Sequence, residues 1–287
     1  MGGDMGFVDV AILSVIQGVT EFLPISSSGH LVLAQTFLGM GEVPVLFDLV
    51  LHLGTLGATV LVYYRLIGAI MKDTWLWLFR SGKARREVYR RGNVKMAGYI
   101  ILSTAVTGVI GMVLRNTIEG FFFKPLFVSF FLLMTGVVLF TTRFITVGEK
   151  SIGDTGPIVP VAIGFAQAAA MLPGVSRSGL TIATGLYLGM IRPLAGSYSF
   201  LLSIPSILGA SIVEFATSKE SLYALAVGQE TQSILMLGIA GFLLSLITGY
   251  GALRVLLSFI KRGKLHLFSY YCITVALGSG ILIVGYY

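Results

Sequence analysis

The chain has 287 residues, 55% of them hydrophobic and 11% charged, with a mean hydropathy of +0.90. Soluble domains carry about 25% charged residues, so 20 basic and 13 acidic side chains cannot cover a water-exposed surface of this size, and the sequence reads as an integral membrane protein. A disordered chain and a nucleic-acid module are excluded, the +7 net charge being assigned to cytoplasmic loops, and the lone Cys272 excludes a disulfide scaffold.

Met1 to Phe7 holds Asp4 and no Lys or Arg, unlike a cleaved secretory signal. An apolar region at about 8–40 follows, interrupted by Pro24-Ile25-Ser26-Ser27-Ser28-Gly29-His30. A spanning helix needs roughly 20 mostly apolar residues, and neither half reaches that length. Broken helix at membrane depth is tolerated only where protein or a wet cavity surrounds the freed backbone, which predicts a hairpin entering and leaving on one side. Spans are predicted at about 47–66, 96–114 and 125–146, separated after the first by a loop, Arg80 to Lys95, with seven basic residues against Glu87. A second interrupted region, about 158–190, breaks at Pro173-Gly174-Val175-Ser176-Arg177-Ser178-Gly179 and predicts a second hairpin. Further spans are predicted at about 195–216, 233–258 and 267–286. Phe121 to Phe123, Trp75 and Trp77 are read as interface anchors and lipid-facing surface.

The Arg80–Lys95 loop and the turn with Lys261, Arg262, Lys264 and His266 are placed in the cytoplasm by the positive-inside rule. The stretch Thr217 to Gln232, with Glu220 and Glu230 against Lys219, suits the outer face. Six crossings then put both termini outside, the first hairpin entering from outside and the second from the cytoplasm. Subtracting 150 from the second hairpin aligns Gln167 with Gln17, Ser176 with Ser26, Ser178 with Ser28, Gly179 with Gly29, and Leu188-Gly189-Met190 with Leu38-Gly39-Met40. The expected fold is therefore an all-α polytopic membrane protein of two inverted-topology repeats, 1–150 and 151–287. Each would be a re-entrant broken-helix hairpin plus three transmembrane helices, and together they would form one integrated domain. Such repeats bring broken helices together near the bilayer midplane, where ligands bind; recurring small-residue packing motifs are the alternative.

The same register sets Ser27 opposite Arg177, Glu21 opposite Met171 and His30 opposite Leu180, so one copy carries the titratable groups and the other a fixed cation. Ionisable side chains at mid-membrane depth usually mark a site; a purely structural Glu21–Arg177 ion pair is the bland alternative. Ser27 and His30 are three apart and share a helix face, a spacing that permits nucleophile and base in contact. Ser26, Ser27 and Ser28 also read as helix N-caps. Two helices starting near Ser26 and Ser176 would aim free N–H groups at an anion, and the Arg177 fork matches phosphate oxygens in pairs. With no GxxxxGK[ST] loop, the phosphate is not expected to be a nucleotide's. Gln17 and Glu21, four apart, offer oxygen ligands for Mg²⁺ or Ca²⁺, or Glu21 orients His30. Asp48 and His52 form another i,i+4 pair, with no chemical role assigned. Gly98, Gly108, Gly111 and Gly136 permit close helix contacts, within one chain or in a homodimer.

Gln17 to His30, with Pro173 to Thr181, resembles the two signatures of bacterial undecaprenyl-diphosphate phosphatase, (Glu/Gln)-x-x-x-Glu before a Ser-rich turn and His, and Pro-Gly-x-Ser-Arg-Ser-x-x-Thr. The resemblance implies a plasma-membrane enzyme that hydrolyses undecaprenyl diphosphate to the monophosphate carrier of cell-wall synthesis. It further implies an outward-facing site, a divalent cation and bacitracin resistance on overproduction. Glu21, Ser27, His30 and Arg177 match the family's essential positions. Ser26, Ser28, Gly174, Ser176, Ser178 and Thr181 fall in motif positions expected to bind substrate. Gln17 departs from the Glu that many members carry. The expected mechanism has Ser27 attack the terminal phosphorus while His30 takes its proton; His30 or water as nucleophile are its rivals. A transporter or flippase of a phosphorylated polyprenyl lipid is the alternative function, because broken inverted repeats also serve alternating access.

Overall fold

The computed structural model describes residues 6–39, 45–146, 148–217 and 231–286. Met1–Met5, Met40 and residues 218–230, with Lys219, Glu220 and Glu230, lie outside the described residues. The described helices are α1 (Phe7–Phe22), α2 (Ser27–Leu38), α3 (Val45–Phe79), α4 (Gly82–Arg90), α5 (Asn93–Phe122), α6 (Pro125–Thr141), α7 (Ile158–Ala169), α8 (Arg177–Tyr187), α9 (Arg192–Thr217), α10 (Thr231–Lys261) and α11 (Leu267–Tyr286). Among the described residues there is no strand, only an isolated bridge between Lys150 and Met190.

Six helices, α3, α5, α6, α9, α10 and α11, are long and apolar enough to cross a membrane. They match the six expected spans, and several run further. The 35 residues of α3 extend about 50 Å, well beyond the roughly 30 Å hydrocarbon core. Its last turns carry Asp73, buried, which accepts from Arg91 Nη1 (2.8 Å) and Asn93 Nδ2 (2.7 Å). The Arg80–Lys95 segment is not the open loop expected. Its residues 82–90 form α4, pinned by buried Val88 and by Arg85 stacked 4.1 Å over the Trp77 ring. Trp77 is thus half-buried under a cation rather than a free lipid anchor, whereas Trp75 is exposed against Phe79.

The four helices that flank the interruptions pair as α1 with α2 and α7 with α8, each pair joined at its Pro/Gly/Ser interruption and packed along itself. Pair α1/α2 is wedged against α10 and α3, and α7 lies along α5. Close approach explains the small residues here: a Cβ on Gly18 would meet the α10 backbone at Ser245 and one on Gly164 the α5 backbone at Ser103. Of the four glycines expected at contacts, Gly136 abuts Ile273 and Gly111 abuts Met171, but Gly98 and Gly108 face open space. A core of Phe22, Leu132, Leu139, Tyr198, Phe200, Leu253 and Leu256 fills the middle, with Phe22 edge-on to Phe200 at 5.9 Å.

The basic connectors converge on one end. Lys95 Nζ donates to Gly153 O (2.5 Å), Lys150 N to Gly189 O (2.9 Å), and the Arg192 guanidinium lies against Gly263 in the turn after α10.

Candidate active site

The two interruptions touch. A Cβ on Gly29 would fall 2.9 Å from Gly174 Cα, and one on Gly179 would fall 3.3 Å from Pro24 Cβ, so hydrogen at Gly29 is what lets the turns meet. Gly174 has φ +100°, a conformation that disfavours any side chain. Each second helix starts alike: Ser26 Oγ accepts from Gly29 N (3.3 Å) and Ser176 Oγ from Gly179 N (3.1 Å). N-capping thus falls to Ser26 and Ser176, whereas Ser27 and Ser28 are already inside α2. Ser26 also has φ +70°, the sole positive value at a non-glycine among the described residues. Such strain, about 1–3 kcal/mol, gathers where function fixes the backbone.

Glu21 is the hub. One carboxylate oxygen, Oε2, accepts from Ser27 Oγ (2.7 Å) and from Gln17 Nε2 (3.1 Å). The other, Oε1, takes Arg177 Nη2 from the opposite turn in a buried ion pair. Arg177 Nη1 is buried with no hydrogen-bond partner, a donor left over in the pocket. His52, on α3, stands behind the same carboxylate with Nε2 3.9 Å from Oε2, while its Nδ1 donates to Asp48 O (2.9 Å) and lies 3.5 Å from Asp48 Oδ2. The i,i+4 spacing of Asp48 and His52 flagged the pair, but only the packing of α3 on α1 brings His52 to Glu21.

His30 corrects an expectation. It is not hydrogen-bonded to Ser27: its Nδ1 meets Ser26 O (2.8 Å) and its Nε2 the Tyr271 hydroxyl (2.9 Å), with the two rings stacked at 5.6 Å. A ring bonded to the carbonyl one turn back is drawn along α2, while Ser27 turns to Glu21. Glu21 therefore does not orient His30 either. Nothing in the sequence signalled Tyr271, which lies 241 residues away on α11.

The remaining motif hydroxyls divide. Ser28 is half-exposed beside Ser26 (3.4 Å between hydroxyls). Ser178 and Thr181 are buried: Ser178 Oγ lies 3.3 Å from Ser176 Oγ at the start of α8, while Thr181 donates to Arg177 O (2.7 Å) and meets Ser199 Oγ (2.6 Å), so the Thr181 hydroxyl ties α8 to α9. For a hard cation, the donor set is Gln17 Oε1, buried without a partner, and the Glu21 carboxylate. No group of three or more His, Cys, Asp or Glu fit to hold a metal occurs among the described residues. These two side chains fall short of the six or more oxygens that Mg²⁺ or Ca²⁺ takes, so substrate oxygens or water would have to complete the shell of a bound cation.

Residues 10–278 match the family described as Bacitracin resistance protein BacA. The chain belongs to this family. Both interruptions, Glu21, Arg177 and Tyr271 lie within the matched range. Among curated relatives, the undecaprenyl-diphosphatase of Desulforapulum autotrophicum is 41% identical over 271 residues, covering 93% of this chain and 95% of its own. The proteins of the same name from Alkaliphilus metalliredigens and Methanosphaera stadtmanae are 40% and 37% identical, covering 92% and 98% of this chain and 94% and 99% of theirs. The family match covers five of the six long helices in full and α11 as far as residue 278.

Proposed function

We propose that this chain is a membrane phosphatase that hydrolyses undecaprenyl diphosphate to undecaprenyl phosphate and orthophosphate, recycling the lipid carrier used in cell-wall synthesis. The relatives' shared name supports the activity, and one observation carries the assignment of residues: Ser27 Oγ sits 2.7 Å from a carboxylate that also holds Arg177. Binding an anion for transport would need the guanidinium but not a hydroxyl with a proton acceptor attached, which favours catalysis over a flippase.

Phosphoryl transfer demands positioning and charge stabilisation more than covalent artifice. Ser27 Oγ attacks the terminal phosphorus and its proton passes to Glu21, the base within reach, in place of the His30 expected from spacing. The bridging P–O bond breaks and undecaprenyl phosphate leaves. Arg177, with its unpaired Nη1, and the N-termini of α2 and α8 receive the equatorial oxygens. Water then attacks the phosphoserine and gives up a proton to His30. Ser27 leaves, reclaiming the proton stored on Glu21, and orthophosphate is released. A divalent cation held by Gln17 Oε1, Glu21 and the diphosphate oxygens would neutralise headgroup charge.

The two-repeat architecture has support in the contacts between the turns. Adding 150 to both members of the Pro24 and Gly29 positions gives Gly174 and Gly179, and Gly29 meets Gly174 as Gly179 meets Pro24. The carbonyls at equivalent positions are capped by side chains of α6 and α11: Thr135 Oγ1 donates to Gly174 O (2.9 Å) and Cys272 Sγ to Pro24 O (3.6 Å). Each is what a two-fold axis between re-entrant hairpins produces. The clustering of basic connectors at one end supports a cytoplasmic assignment for that end, and hence a plasma-membrane enzyme whose first hairpin opens outward.

Purified protein with a short-chain prenyl diphosphate tests the assignment. Ser27→Ala and Arg177→Ala should each abolish phosphate release, and wild type quenched in acid should carry phosphate on Ser27. Undiminished turnover in either variant, or an acid-labile adduct on His30, would refute it.

A further inference from the structure

Both ring nitrogens of His30 are occupied by protein, and their partners differ in kind. Ser26 O, 2.8 Å from Nδ1, is a carbonyl and can only accept, so the ring proton resides on Nδ1. In the neutral imidazole Nε2 is then the acceptor, and the Tyr271 O–H, 2.9 Å away, donates to it. The basic nitrogen of His30 thus has one partner, and it is the phenol of Tyr271. Ring stacking, with 12° between the planes, holds the two side chains in register. Tyr271 is about half-exposed, and among the described residues no carboxylate, ammonium or guanidinium is paired with either ring.

We infer that Tyr271 relays the proton by which His30 serves dephosphorylation of the enzyme. The proposal rests on the phosphoserine reading above and deepens it. As water adds to phosphorus, one of its protons passes to Tyr271 Oη, while the proton already on Oη passes to His30 Nε2. The phenol ends neutral and the imidazole becomes imidazolium, which afterwards returns the proton by the same path to the departing orthophosphate. No proton is gained or lost by the phenol, so its ordinarily high acidity threshold does not obstruct the step. The geometry also accounts for a histidine that lies one helical turn from Ser27 yet is not hydrogen-bonded to it: it serves the second half of the reaction, not the first. Ser26 contributes by the same logic, because its strained carbonyl fixes the tautomer that leaves Nε2 basic.

The measurement is single-turnover phosphoserine formation and decay in full-length protein with a short-chain prenyl diphosphate. Tyr271→Phe keeps the ring and its stacking and removes only the hydroxyl. It should form phosphoserine at the wild-type rate, hydrolyse it about tenfold more slowly, and so accumulate it, with kcat and KM falling together and kcat/KM for the diphosphate within about twofold. His30→Ala should accumulate it likewise, and adding Tyr271→Phe to His30→Ala should bring no further loss, as two groups acting in one path require. Wild-type decay in Tyr271→Phe, or an equal loss from Tyr271→Phe with and without His30, would overturn the relay while leaving the Ser27 reading intact. Absence of phosphoserine in the wild type and in both variants would overturn the Ser27 reading and the relay with it. Histidine ring ¹⁵N spectra supply a readout independent of turnover, with three histidines to resolve: the His30 Nε2 resonance should move toward that of an unbonded acceptor in Tyr271→Phe, and an unmoved resonance would count against the bond itself.

Discussion

At Glu21 a single buried carboxylate accepts from a hydroxyl, an amide and a guanidinium, three donors contributed by two chain segments more than 150 residues apart. Three donors and the guanidinium charge offset the cost of burying such a carboxylate. It is also strongly aimed: the Arg177 fork fixes one oxygen, leaving the other at Ser27. The fork matters as much as the charge, since lysine is a point cation without paired donors. Arg177→Lys should therefore lower turnover about 10²-fold, the scale of losing one aligned transition-state donor, as measured by phosphate release. Activity within twofold of wild type would mean that charge alone suffices.

The short helices are defined by their ends. Ser26 and Ser176 cap α2 and α8 with the same side-chain bond, to the backbone N–H three residues on, although Ser26 takes a positive φ and Ser176 an extended one, and the turns interlock where Gly29 faces Gly174. A transmembrane neighbour completes each turn: Thr135 on α6 donates to Gly174 O (2.9 Å) and accepts from Ser176 N (3.0 Å), satisfying two buried backbone groups with one hydroxyl. Thr135→Val preserves the shape and leaves both groups unpaired, so it should cost about 1–3 kcal/mol of stability, read as a lowered unfolding midpoint in detergent, whereas Thr135→Ser should recover most of it. An unchanged midpoint in the valine variant would show that water replaces the hydroxyl and that the turn is wetter than its burial indicates.

The molecule as a whole is polar at one end, a sealed apolar belt in the middle, and broken helix within the belt. The basic connectors and α4 share one end, and Asp73 ties α3 to Arg91 and Asn93 there. If this end is cytoplasmic and the first hairpin opens outward, single cysteines in a Cys272→Ser background should label from opposite sides: Lys83→Cys from inside and Ser28→Cys, by small reagents, from outside. Cys272 donates only to Pro24 O, and serine retains a donor. Labelling of both from one side would reverse the proposed orientation or close the cleft.

Much of this was legible in the chain itself because membrane solvation is written into composition: lipid tolerates only long apolar helices or protected breaks, so the six long helices and both interruptions could be read directly. The motif residues Glu21, Ser27 and Arg177 were likewise visible as rare polar groups in apolar surroundings. Helix extents, the folding of α4 over Trp77 and the Thr181–Ser199 bond that ties α8 to α9 were not, since each depends on what a side chain meets across space. The same holds for the proton path. Spacing on one helix put Ser27 beside His30, but spacing gives only a shared face; the positions of α1 and α11 decided that the hydroxyl turns to Glu21 and the imidazole to Tyr271. One-dimensional order thus determined which groups enter the bilayer, and tertiary packing alone determined which of them are partners, because hydrogen bonds form over a few ångströms between segments that sequence places far apart.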